Sequence, residues 1–195
     1  MNTSGFKLVL ASESPRRQDL MRQMGLDFEV RTVPVRESYP THLQGAAISD
    51  FLAVLKASAQ QEHLLPNEIL ISADTVVWQD GTSLAKPANP QEAAQMLRRL
   101  SGKWHQVITS VCFTTTRSQN VVHAVTEVQF RKLKDTEMAH YIATCQPFDK
   151  AGGYGIQEWI GLVGIEQIKG SYTNVVGLPT HLVHKTLMEM TGGAR

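Results

Sequence analysis

The sequence predicts an α/β fold, a mixed sheet with helices on both faces. Three observations point there. Strand-like and helix-like segments alternate over the first half of the chain. Two long β-type stretches, 104–116 and 120–132, then follow as an antiparallel pair. Helical patterns return at 135–145 and 179–190. Alternation followed by paired strands argues against both a sandwich and a bundle.

Phe6–Ala11 is a short apolar run suited to a buried strand. Ser14 suits a helix N-cap and Pro15 the first helical position, so a helix runs Pro15–Met24 and stops at Gly25. Phe28–Val33 alternates as a strand, and a polar, proline-containing loop covers 34–45. Ala46–Gln61 is strongly helical, with Ile48, Phe51, Leu52 and Leu55 on one stripe. Glu68–Trp78 is the next strand. Gln79-Asp80-Gly81-Thr82 turns it back, because Asp-Gly supplies the positive φ angles of a hairpin. Asn89-Pro90 opens a helix over 90–100. After the paired strands and the helix at 135–145 come a glycine-rich loop, Asp149–Gly155, a strand at Gly161–Ile168 and the final helix. Gly170-Ser171-Tyr172 and Gly177-Leu178-Pro179 read as turns.

The 195 residues are 42% hydrophobic and 19% charged, which suits one domain, 1–195, with a sizeable core. Nineteen Lys+Arg against 18 Asp+Glu give a net charge of +1. That balance excludes a general binder of polymeric nucleic acid and an acidic tail, so functional positive charge is local. No apolar run approaches the ~20 residues of a membrane span. The first apolar run suits a strand better than a signal peptide, and a cytoplasmic protein is expected. Cys112 and Cys145 lie far apart without a CxxC pair, which suits reduced, buried thiols. Asn2-Thr3-Ser4 is a glycosylation sequon in form only.

Four clusters are chemically informative. Ser12-Glu13-Ser14-Pro15-Arg16-Arg17 is a strand–loop–helix junction, where free N–H groups and a positive helix end attract an anion. Arg16 and Arg17 oppose the helix dipole, a placement explained by a phosphate between them; a solvated helix start fits equally. Asp74 stands in the middle of an apolar strand, where an unpaired carboxylate costs several kcal/mol, so it is either functional or at a solvated strand end. Lys56 and Lys86 suit phosphate neutralisation and also suit ordinary snorkelling to water. In Asp149–Gln157 the glycines allow close approach, and the Gln157 amide can read a base edge; a flexible turn is the plainer reading. Walker A, GxGxxG after the first strand, HExxH and GxSxG patterns are all missing, which disfavours those chemistries.

Together the clusters resemble the Maf family of nucleoside triphosphate pyrophosphatases. The matching segments are LASESPRR (10–17), LAVLKASA (52–59), ADTVV (73–77), AKP (85–87), LSGKWHQVIT (100–109), FDKAGGYGIQ (148–157) and IKGSYTNVVGLP (168–179). The resemblance implies an elongated, two-lobed fold with a central cleft, akin to inosine-triphosphate pyrophosphatases. It implies hydrolysis of a nucleoside triphosphate to the monophosphate and pyrophosphate with a divalent cation, Mg²⁺ or Mn²⁺. It places the catalytic carboxylate at Asp74, and phosphate binding at Ser12, Arg17, Lys56 and Lys86. Metal binding falls to Asp74 and Glu37, where the usual Asp-Glu reads Arg36-Glu37. Arg16, Thr75 and Gln157 match the subgroup acting on dTTP and UTP; the subgroup acting on 7-methyl-GTP carries Trp, Gln and Glu there. Family precedent implies a homodimer, and house-cleaning of modified pyrimidine nucleotides is in keeping with it. A free Asp, with a pKa near ~3.9, is a weak base at neutral pH, so metal assistance is expected, with Asp74 as ligand or as base. The alternative is a non-catalytic nucleotide-binding regulator of cell division and septum formation. Asp74 argues against it, because binding alone does not require a carboxylate beside three phosphates.

Overall fold

Branched aliphatic side chains crowd the long strands, and they assemble into one mixed sheet. A computed structural model describes residues 5–192; the Asn2-Thr3-Ser4 sequon lies outside the described residues. The strands are β1 (Lys7–Leu10), β2 (Phe28–Val30), β3 (Glu68–Gln79), β4 (Thr82–Leu84), β5 (Trp104–Thr114), β6 (Gln119–Phe130) and β7 (Ile165–Lys169). The helices are α1 (Pro15–Gln23), α2 (Ala46–Gln61), α3 (Pro90–Leu100), α4 (Asp135–Cys145), α5 (Trp159–Gly164), α6 (Tyr172–Val176) and α7 (Thr180–Thr191). The sheet order is β2-β1-β3-β5-β6-β7, with β4 also on β3. β2, β1 and β3 run parallel, and the remaining pairings are antiparallel.

The period-2 alternation of β3 divides the core. Ile69, Ile71, Ala73 and Val77 pack with Leu20 and Met21 of α1, Leu97 of α3, Tyr141 of α4 and Leu187 of α7. Leu70 packs on the other face with Ala53 and Ala57 of α2, and Val76 with Ile48 and Leu52. Ser72 fastens the same helix by donating to the Ala53 carbonyl at 2.7 Å. Helices therefore cover both faces, as the pattern predicts. The hairpin turn forms as expected, with φ of 49° at Asp80 and 73° at Gly81. Asn89 caps α3 by accepting from the Glu92 N–H at 2.9 Å.

Five expectations are corrected. Gly161–Ile168 is not one strand: α5 occupies 159–164, and β7 begins at Ile165. A short apolar run does not distinguish strand from helix. The Glu158 carbonyl decides the matter, because it accepts from the Gly161 N–H at 2.9 Å and the Leu162 N–H at 3.2 Å and so closes the first helical turn. The turn at Gly170-Ser171-Tyr172 leads straight into α6, which Ser171 caps through the Asn174 N–H. On α2 the buried stripe runs through Ile48, Leu52, Ala53 and Ala57, and Phe51 is exposed. Small alanines let α2 lie close on the sheet, which turns Phe51 outward. β2 ends at Val30, short of the expected Val33. Of the two thiols, Cys112 is buried and Cys145 only half-buried; both are free.

Candidate active site

The site begins with a gap in the sheet. β1 pairs with Glu68–Ile71 of β3, and β4 pairs with Val77–Gln79. Between them, residues 72–76 pair only with β5 on the opposite side. A cavity of about 810 Å³ opens at this break. Its walls come from the β1–α1 junction, the 32–39 segment, α2, the middle of β3, residues 83–86, and the loops at 149–157 and 175–177. All nine residues singled out in the sequence line it: Ser12, Arg16, Arg17, Glu37, Lys56, Asp74, Thr75, Lys86 and Gln157.

The gap exposes both faces of β3 at once, so consecutive residues serve different layers. Asp74 points toward α2. It is 7% exposed, and its Oδ1 accepts from Lys56 Nζ at 2.7 Å. Lys56 Nζ also lies 2.9 Å from Glu37 Oε1, so one ammonium joins two carboxylates. Burial raises the Asp74 carboxyl above the usual aspartate range, against the opposing pull of Lys56 and Arg17. Burial also pushes Glu37 upward, but Lys56 first, then Lys86 and Arg17, bring it below its ordinary value. Glu37 is exposed and Asp74 is not, which is why the two carboxylates shift in opposite directions.

Thr75 points the other way, toward α1 and α6. Its hydroxyl accepts from Arg17 Nη2 at 3.1 Å and lies 2.9 Å from Thr109 Oγ1. Thr109 donates its own proton to the Asn174 carbonyl at 2.9 Å, so Thr75 is the donor in the Thr75–Thr109 bond. The guanidinium of Arg17 is held on three sides. Nε donates to the Gly177 carbonyl at 2.9 Å, Nη1 to Ser12 Oγ at 3.3 Å, and Nη2 to Thr75. Arg17 is thus a strut across three segments as well as a cation in the cavity. Ser12 Oγ also accepts from the Ser14 N–H at 3.3 Å, whereas Ser14 makes no side-chain cap bond to α1, contrary to its expected role. Arg16 reaches the opposite wall, where Nη1 donates to Asp149 Oδ2 at 2.8 Å. Lys86 and Gln157 are exposed at the cavity wall.

Glu37 and Asp74 offer oxygen donors at one place. Among the described residues no group of three His, Cys, Asp or Glu side chains is placed to hold a metal ion. Two carboxylates completed by phosphate oxygens and water suit a hard ion such as Mg²⁺, which dehydrates reluctantly. The donor set fits a cation that arrives with a triphosphate.

The Maf-like protein family pattern matches residues 7–190. The chain belongs to the Maf family. A dTTP/UTP pyrophosphatase of Bacteroides fragilis is 52% identical over 190 residues, covering 97% of this chain and 98% of its own. A dTTP/UTP pyrophosphatase of Flavobacterium psychrophilum is 50% identical over 185 residues, covering 95% of each chain. Among solved structures, the Staphylococcus aureus Ham1 protein shows a TM-score of 0.46 at 15% identity, over 64% of this Maf chain and 71% of that chain.

Sequence reasoning missed three residues around the Maf cavity. Lys150 lines it and is only 11% exposed at its side chain. Glu158 and Tyr141 stand behind Lys150. The adjacent charges Asp149-Lys150 at the head of a glycine-rich loop were the available signal. Tyr141 left none, because it reads as a core position of α4.

Proposed function

We propose that this Maf protein hydrolyses dTTP and UTP at the α–β phosphoanhydride, releasing the nucleoside monophosphate and pyrophosphate. The observation that carries the reading is a buried carboxylate, Asp74, in a cavity that also holds Arg17, Lys56 and Lys86. The names of relatives about half identical over nearly the whole chain support the same substrates. Arg17, with Lys56 and Lys86, holds the phosphates and offsets the charge that builds in the transition state. The oxygen of a water attacks the α-phosphorus, the bond to the α–β bridging oxygen breaks, and pyrophosphate leaves. Asp74, buried beside Lys56 at the cavity wall, takes the proton of that water. A divalent cation, Mg²⁺ or Mn²⁺, held by Asp74, Glu37 and phosphate oxygens, would supply charge neutralisation and a more acidic water. Arg16, Thr75 and Gln157 select the base. Thr75 acts mainly by fixing Arg17, and the Gln157 amide offers a donor and an acceptor to a pyrimidine edge.

No helix among the described residues is long and apolar enough to cross a membrane. Our reading places the reaction in the cytoplasm, on a single domain, 1–195, with family precedent for a homodimer. The test is pyrophosphate release from dTTP, UTP, CTP, GTP and 7-methyl-GTP, with Mg²⁺, with Mn²⁺ and with EDTA. Metal-dependent turnover of dTTP and UTP above the purines is expected. Preference for purines would overturn the base assignment. Binding without turnover across the panel would favour a nucleotide-sensing regulator.

A further inference from the structure

Lys150, Glu158 and Tyr141 play no part in the reaction described above, yet they are tied to two residues that do. Lys150 Nζ donates to Asp149 Oδ1 at 2.6 Å and lies 2.9 Å from Glu158 Oε1. Asp149 Oδ2 accepts from Arg16 Nη1 at 2.8 Å. Glu158 Oε2 accepts from the Tyr141 hydroxyl, which itself accepts from the Gly155 N–H at 3.0 Å. A continuous chain of contacts therefore runs Arg16–Asp149–Lys150–Glu158–Tyr141–Gly155. It starts on α1, passes through the loop to Tyr141 of α4 and returns to the loop at Gly155. Gln157 sits between two of its anchor points, and the Glu158 N–H closes the turn around it by donating to the Gly155 carbonyl at 3.0 Å.

Gly155 has a use that the sequence pattern does not reveal. A Cβ there would stand 2.9 Å from Glu158 Cδ and 3.1 Å from Lys150 Cε. This glycine makes room for the ion pair. Burial would raise the Asp149 carboxyl, but hydrogen bonds from Lys150 and Arg16 outweigh it and hold it at about 2. Burial and the neighbouring Glu158 raise the Tyr141 hydroxyl, so it stays a donor at every working pH. The charges of this chain cancel: Arg16 and Lys150 against Asp149 and Glu158. Elsewhere the cavity is lined by three further cations, Arg17, Lys56 and Lys86, and by the carboxylates of Asp74, Glu37 and Glu13. The phosphate-facing cations Arg17, Lys56 and Lys86 thus belong to a different set of residues from the paired groups around Gln157.

We propose that Lys150, Glu158 and Tyr141 are positioning residues for base selection, a polar clasp that fixes Gln157 and Arg16 relative to each other. The proposal rests on the reading of Arg16 and Gln157 given above. Preset geometry lowers the ordering cost of binding the right base, so its loss falls on KM more than on kcat.

The test is Tyr141→Phe, which removes one hydroxyl and keeps the ring in the core. KM for dTTP and UTP should rise about tenfold, with kcat within about threefold of wild type. Inhibition by tripolyphosphate, which probes the phosphate-facing cations alone, should stay within about twofold. In a Gln157→Ala background the same substitution should raise KM no further, because the clasp acts through Gln157. Glu158→Gln, read the same way, serves if Tyr141→Phe does not fold. Unchanged KM in a folded variant overturns the clasp. So does tripolyphosphate inhibition that weakens in step with KM, or a full additional KM effect in the Gln157→Ala background. Gln157→Ala alone separates the two layers. Unchanged KM there refutes the underlying base reading, whereas raised KM there with unchanged KM in Tyr141→Phe refutes the clasp only.

Discussion

Replacing Asp74 by Asn isolates its chemistry from its packing. Asn is nearly isosteric, and its carbonyl can still accept from Lys56. It cannot take up a proton from water. Two structural terms oppose each other in the folded state. The substitution relieves the desolvation of a carboxylate that is 7% exposed, and it weakens a charge-assisted hydrogen bond of 2.7 Å. Lys56 is not orphaned, because Glu37 remains 2.9 Å away. The net change in stability should be about 1–2 kcal/mol or less, a Tm shift of roughly 8 °C at most. The kinetic effect is far larger. A positioned general base contributes about 10²–10⁴ in rate, or ~2.7–5.5 kcal/mol of barrier. Steady-state pyrophosphate release with dTTP and Mg²⁺ should therefore show kcat reduced at least a hundredfold, with KM changed only a few fold. A folded Asp74→Asn protein retaining more than about a tenth of wild-type kcat would refute the assignment, since tenfold is only ~1.4 kcal/mol.

Lys56→Met removes the cation that opposes burial at Asp74, so the Asp74 carboxyl should rise further. Asp74 must be ionised to act, so the acid limb of kcat/KM against pH should move to higher pH; an unmoved limb in a folded variant would break the coupling. Gln157→Glu should lower kcat/KM for both dTTP and UTP, and unchanged values would remove Gln157 from base recognition. Glu68 is buried and bidentate to Arg31 at 2.8 and 3.0 Å, and the Arg31 hydrogen bonds hold its carboxyl below the usual range. Glu68→Gln should cost about 2 kcal/mol at neutral pH, roughly 4–8 °C in Tm. A carboxyl depressed in the folded state stabilises above its unfolded pKa, so this deficit should shrink as pH falls below about 4, and thermal melts across pH 3–8 check it. Burial pushes the His105 imidazole down to about 4, whereas the unfolded chain protonates near the ordinary 6.5. Stability should therefore decline by up to about 3 kcal/mol as pH drops from 6.5 toward 4, and His105→Phe should flatten the Tm curve in that window.

Local chemistry was legible in the sequence, and long-range partnership was not. Asp80-Gly81 announced its turn because two positive φ angles are a property of two residues. Pro15 and Asn89 marked helix starts for equally local reasons. The burial of Asp74 follows from its apolar neighbours on β3. The second role of Arg17 could not be read in the same way, because its anchor at Gly177 lies 160 positions away. Glycines in the 149–155 loop suggested close approach, but a sequence does not say to what; at Gly155 the neighbour is an ion pair. The boundary between α5 and β7 was lost because Gly-Leu-Val-Gly-Ile carries neither clear period. The stripe on α2 was misread because Ala53 and Ala57 weigh little on a hydropathy scale, although both are fully buried.

Asp74 and Thr75 are neighbours in the chain but face different halves of the molecule. The phase of β3 is consequently a functional quantity, as much as the identity of any residue on it. Inserting or deleting one residue between Ile71 and Asp74 would send the carboxylate toward Arg17 and the hydroxyl toward Lys56, even with every side chain retained. Drift in length is tolerable only outside that stretch, beyond Gln79 in the hairpin or in the loop before Glu68. Members of a lineage that keep this reaction should therefore vary freely in the lengths of those loops while holding the spacing from the β1 contact to Asp74 constant.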